Sequence, residues 1–104
     1  MIVVTTETIH GRDIIDTLGL VRGNTIRARH VGRDIVAGLK TLVGGEIHEY
    51  AKLMGEAREQ ALDRMVDEAR DLGADAIVNV RFSTSVIIGG AAEMLAYGTA
   101  VKIS

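Results

Sequence analysis

The chain has 104 residues, a length that fits one domain spanning 1–104 and leaves a small core. No Cys is present, which excludes disulfides, thiol catalysis and thiolate metal sites, and the net charge of −2 with no basic excess argues against nucleic acid as a partner. Hydrophobic residues make up 47% of the chain, yet only two Tyr and one Phe are aromatic, so the apolar mass is aliphatic and exceeds what a small core can hide.

Ile2-Val3-Val4 reads as a short apolar edge strand, a segment for pairing with a neighbouring subunit. The N-terminal stretch lacks a charged region followed by a long apolar run, so no signal peptide is expected. From Ile14 to His30, Leu18, Leu20, Ile26 and Ala28 share one parity against Thr17, Arg27 and Arg29, the pattern of a half-buried strand. Gly23-Asn24 interrupts it, and the spacing predicts one long bent strand with a bulge there.

Val31 to Val43 predicts a short amphipathic helix with Ile35, Leu39 and Leu42 on one face, stopped by Gly44-Gly45. The next stretch, Glu46 to Leu72, holds no Pro and one Gly. Ile47, Tyr50, Met54, Ala57, Ala61, Met65, Ala69 and Leu72 recur at steps of three and four, so they stack on one helix face. Leu53, Leu62 and Val66 widen the stripe, and Gly73 is the expected C-terminal stop. Such a helix is roughly 40 Å long, more than a compact domain of this size needs. Ala76 to Ile88 predicts a strand with Val78, Val80, Phe82, Val86 and Ile88 on one side. Gly89-Gly90 reads as a turn. Ala92 to Ile103 is the partner strand, with Leu95, Tyr97, Val101 and Ile103 on one face and Ala96, Gly98 and Ala100 on the other. The order predicts an α+β fold of two layers.

Charge is segregated along the chain. Thr17 to Gly45 balances to +4 through Arg22, Arg27, Arg29, Arg33 and Lys40 against Asp34, and Glu46 to Asp75 balances to −5. Complementary halves can pair within one subunit or between subunits.

Leu18-Gly19-Leu20-Val21-Arg22-Gly23, Arg33-Asp34, Val43-Gly44-Gly45, Ala57-Arg58, Leu72-Gly73-Ala74-Asp75-Ala76 and Gly98-Thr99-Ala100-Val101 occur in this order along nearly the whole chain. Together they resemble the YbjQ family, small uncharacterised proteins also labelled UPF0145 and heavy-metal-binding. The resemblance implies a dodecin-like β-α-β-β subunit with an antiparallel three-stranded sheet on one long helix. It also implies a ring oligomer, usually a homopentamer, in which extra short strands help subunits join.

The metal label directs attention to His10, His30 and His48 with Glu46 and Glu49. Imidazole and carboxylate suit Zn or Cu, and His48 with Glu49 is the expected ligand pair. The spacing contains no HxxxH, and adjacent helix residues do not face one point. Three solvated histidines are therefore the simpler account, unless symmetry around a ring axis assembles a site. No catalytic residue is assigned. Ser83, Thr84, Ser85 and Ser104 lack a nucleophile motif, Thr5, Thr6 and Thr8 near His10 are local polar sequence, and Asp63 and Asp67 fall on the solvent side of the long helix. Dodecins hold flavin between aromatic rings, and a chain with no Trp, only Tyr50, Tyr97 and Phe82, argues against that ligand. Arg22, Asn24 and Thr25 suggest instead a polar pocket between subunits. The reading is a cytoplasmic, non-enzymatic homo-oligomer that binds heavy-metal ions. The alternative is a small-molecule or cofactor-binding oligomer with sites between subunits. The sequence gives the cluster from Arg22 to Arg33 no role.

Overall fold

The computed structural model describes residues 1–28, 44–87 and 91–104, with side chains described for 1–26, 51–86 and 91–104. The elements are β1 (Ile2–Val3), β2 (Ile14–Ala28), α1 (Gly44–Asp71), β3 (Ala76–Ile87) and β4 (Ala91–Ile103). The short helix expected over Val31–Val43 and the Gly89-Gly90 turn lie outside the described residues.

One four-stranded sheet has the order β1-β3-β4-β2. β4 pairs antiparallel with β3 on one side and with β2 on the other, while β1 runs parallel to β3. The sheet is therefore mixed, and the expected antiparallel three-stranded sheet is corrected by the parallel strand at its edge. Ile2-Val3-Val4 finds its place within its own chain: Ile2 pairs with Ala76, Val3 with Ile77, and the Val4 amide donates to the Ile77 carbonyl at 3.0 Å. The apolar segment that suggested a crossing to a neighbour is thus paired in cis.

α1 forms where the three-and-four spacing predicts it. Its described span runs from Gly44, two residues ahead of the expected Glu46, so Gly44-Gly45 lies within the helix. At its C-terminus the Gly73 amide donates to Arg70 O at 2.9 Å and the Ala74 amide to Ala69 O at 3.0 Å. Gly73 has φ +79°, so this is a Schellman stop at the residue expected to provide it. Leu72, at the end of the predicted stripe, is exposed because the chain turns away there.

The helix lies over β2 and β4. Ala57, Ala61, Met65 and Ala69 are fully buried against Val21, Met94, Ala96 and Ala100, with Leu62 and Val66 packed at the flank. Small residues dominate both surfaces, and that brings the backbones together. An added Cβ on Gly23 would strike the Ala61 carbonyl and the Met65 amide, and would sit 2.8 Å from Arg64 Cβ. Gly23 is therefore a close-approach position, not a bulge.

The register shifts of β2 lie earlier, between Ile14 and Asp16 and between Thr17 and Gly19. The second shift reverses the expected parity. Leu18 packs toward the helix, but Leu20 and Ile26 are 61% and 59% exposed, while Val21, Gly23 and Thr25 are buried. β3 is re-phased in the same way. Asn79 adopts φ 55° where the pairing jumps between Val78 and Arg81. Val78 then faces a second cluster with Ala76, Val101, Ile103, Ile2, Val4 and Ile9, while Val80 joins the helix side. Phe82 and Val86 remain exposed on the helix side, since the helix does not reach over that part of β3. The alternation expected for β4 holds: Ala96, Gly98 and Ala100 lie under the helix and Tyr97 on the far side.

The molecule is drawn out, 53 × 22 × 15 Å, with a radius of gyration of 17.0 Å. A compact domain of this length would have about 13 Å. The excess is surface, and its location defines the candidate site.

Candidate functional site

His48 and Glu49, with Glu46, sit in the first two turns of α1 by backbone position; their side chains are outside the described set, as is His30 altogether. His10 is exposed in the tight turn closed by the Arg12 amide on the Ile9 carbonyl at 3.1 Å. Among the described residues no three His, Asp or Glu side chains converge on a point that could hold a metal ion. Nor does any Ser or Thr hydroxyl among them bond to a His or a carboxylate. The Thr6 hydroxyl donates to Thr8 O at 2.6 Å, and that of Thr84 to the Met94 sulfur at 3.3 Å. Asp63 and Asp67 are exposed on the outer side of α1, and Asp67 pairs with Arg70 at 3.6 Å along the helix.

The polar group expected from Arg22, Asn24 and Thr25 is split by the pleat, since successive side chains leave a strand on opposite faces. Thr25 points under the helix, is 2% exposed, and its hydroxyl has no hydrogen-bond partner. Arg22 and Asn24 are exposed on the other face. Asn24 is tied at both ends: its carbonyl accepts from Arg64 Nη1 at 2.6 Å, and its amide donates to Glu93 at 3.5 Å.

The sheet face away from the helix is covered only in part. At its lower end Ile2 and Val4, from the edge strand and its continuation beside β3, and Ile9, from the segment that follows, bury Ala76, Val78, Val101 and Ile103. Beyond these contacts, among the described residues, the face carries exposed side chains. The first open row is Arg22, Tyr97 and Arg81, which stand directly opposite one another on β2, β4 and β3. Tyr97 is 37% exposed, and both arginines are exposed. Arg81 Nη1 donates to the Thr5 carbonyl at 2.8 Å and the Val80 carbonyl at 2.9 Å, which anchors that guanidinium to the N-terminal segment beside β3. The next row is Asn24, Leu95 and Ser83. Sequence spacing did not show the Arg-Tyr-Arg row. Its only signal was a tyrosine in a chain with three aromatics, placed mid-strand between small residues.

Among the described residues no helix is long and apolar enough to cross a membrane.

Known proteins resemble the chain along its full length. It is 60% identical over 103 residues to a UPF0145 protein of Methanosarcina acetivorans, covering 99% of this chain and 97% of that one. It is 60% identical to a UPF0145 protein of Thermosipho africanus, covering 99% and 95%, and 56% identical to one of Clostridium novyi, covering 99% of each. A crystal structure of a protein of unknown function from Pediococcus pentosaceus, assigned to the DUF74 family, superposes with a TM-score of 0.64 at 17% identity, covering 100% of this chain and 98% of that one. That likeness concerns the fold alone. The family model described as "Putative heavy-metal-binding" matches residues 1–104, and with these relatives it shows that the chain belongs to the YbjQ family.

Proposed function

We propose that the chain is a non-catalytic, cytoplasmic subunit that works as a homo-oligomeric ring, most simply a pentamer, and that the ring holds heavy-metal ions. The observation that carries the self-association is a pair of free strand edges with exposed apolar side chains. Among the described residues β2 has no neighbour beyond it, and β3 has none past the N-terminal segment, whose bonds end where the Asn79 amide donates to Thr6 and the Val80 amide to Val4. Ile15 and Ile26 on β2 are 66% and 59% exposed, and Val86 on β3 is 87% exposed. Open edges of this kind invite another strand. Two different edges on one chain favour a head-to-tail contact, which closes into a ring if the rotation per subunit allows. A dodecin-like arrangement fits that scheme.

Metal binding rests on the family description and on donor type. His48 and Glu49 lie near the start of α1, and copies related by a ring axis would bring several such pairs together, which one chain cannot. The test is native mass spectrometry on untagged protein with and without added Zn²⁺ or Cu²⁺. A ring retaining fewer metal ions than subunits supports a shared axial site. A monomer overturns the assembly, and a metal-free ring with unchanged titration in His48→Ala overturns the metal reading alone.

A further inference from the structure

The row Arg22–Tyr97–Arg81 has the makings of a ligand site within one chain, distinct from the metal reading and from a pocket between subunits. Three residues in register on adjacent strands share one face of the sheet. Their Cα atoms therefore span two strand spacings, about 9–10 Å, with the phenol ring midway. Among the described residues neither guanidinium has a carboxylate partner: Arg81 bonds to main-chain carbonyls. The nearest acid on that face of β4 is Glu93, two rows further along and engaged by Asn24. Arg81 is also fixed in place: it bonds to the carbonyl of Thr5 in the segment that runs beside β3.

Two uncompensated cations flanking an exposed aromatic face call for an anion that carries a flat ring. Aromatic side chains on open sheets stack bases and similar rings, and Arg takes phosphate or carboxylate oxygens in bidentate fashion. Asn24 and Ser83 in the adjoining row offer donors and acceptors to ring heteroatoms. A cross-strand cation–π ladder that serves only the sheet would use the same residues but would leave two like charges without an anion. We infer that this row binds a small aromatic anion of the nucleoside monophosphate class, the ring on Tyr97 and the phosphate on Arg22, with Arg81 held by its carbonyl bonds on the other side of the ring. The row lies within one chain and does not depend on the ring assembly or on metal.

The experiment is a residue-resolved NMR titration of the intact protein in metal-chelated buffer with adenosine 5′-monophosphate, adenosine and inorganic phosphate in turn. Saturable shifts of Arg22, Tyr97 and Arg81 by the monophosphate at millimolar concentration or below are expected, with adenosine and phosphate each weaker by roughly tenfold or more. Arg22→Gln is expected to weaken binding by about tenfold, since it removes a charge-assisted contact, while Tyr97→Phe keeps the platform and Tyr97→Leu loses it. Glu56→Gln on the outer side of α1 serves as the unchanged control. Absence of saturation, or equal affinity in Arg22→Gln, overturns the site. Phosphate binding as tightly as the monophosphate overturns the stacking role. Affinity that climbs steeply with the length of a single-stranded oligonucleotide overturns the small-ligand assignment in favour of a nucleic-acid platform.

Discussion

Gly23 and Thr25, two positions apart on β2, meet the same helix in opposite ways. Gly23 admits the helix backbone where a methyl group cannot fit, so Gly23→Ala forces the two layers apart. The expected cost is about 3 kcal/mol, read as a lower denaturation midpoint. An unchanged midpoint would show that the layers are further apart than they stand here. Thr25 instead brings a hydroxyl into an apolar contact and leaves it unpaired. Thr25→Val keeps the shape and removes the desolvated group, so a gain of about 1 kcal/mol is expected in urea denaturation. A loss would mean that the hydroxyl has a partner in solution. Neither role was visible in the sequence, where Gly23 read as a bulge and Thr25 as part of a pocket. A close approach depends on what lies across the interface, and only the packed layers supply that.

Among the elements, α1 was the most legible because one period governs all of its buried residues. Ala57, Ala61, Met65 and Ala69 are buried as the spacing requires. Ala61→Leu is expected to overpack this seam and lower stability by about 1–3 kcal/mol, measured by thermal unfolding. A midpoint equal to the parent would place Ala61 away from the sheet. The strands were less legible. A period of two loses its phase at every bulge, and the register shift near Gly19 and the positive φ at Asn79 each move the apolar set to the other face. Asn tolerates that backbone region, and a β-branched residue does not. Asn79→Val is therefore expected to cost about 1–2 kcal/mol, and it should loosen β1, since the Asn79 and Val80 amides donate to Thr6 and Val4. Faster amide exchange at Val4 and Val80 would report it. The candidate ligand row was hidden for a related reason: positions 22, 81 and 97 become neighbours only through pairings between distant parts of the chain.

At the scale of the molecule, the cis pairing of β1 changes what truncation should do. Ile2 and Val4 cover Ala76 and Val78, so removing Met1 to Val4 strips part of a core as well as an edge. The expected outcome is a lower unfolding temperature at any oligomeric state. If light scattering instead shows a smaller particle with unchanged thermal stability, the segment serves the assembly rather than the subunit. The topology has a further consequence for how the protein is made. β4, residues 91–103, is the strand between β2 and β3, and it follows both in the chain. While a ribosome is still translating the earlier segments, β2 lacks β4, its partner among the described strands, and the two long strands cannot be joined. The pairing of residue 14 with residue 103 also closes a long loop, the kind of contact that slows folding. Nascent chains stalled before Ala91 should thus be cut readily along β2 by protease, and protection should appear in one step once β4 has left the exit tunnel. Until then the backbone edge of β2 that β4 takes up stands unpaired, which makes the last strand to emerge the one that decides whether the chain folds or aggregates.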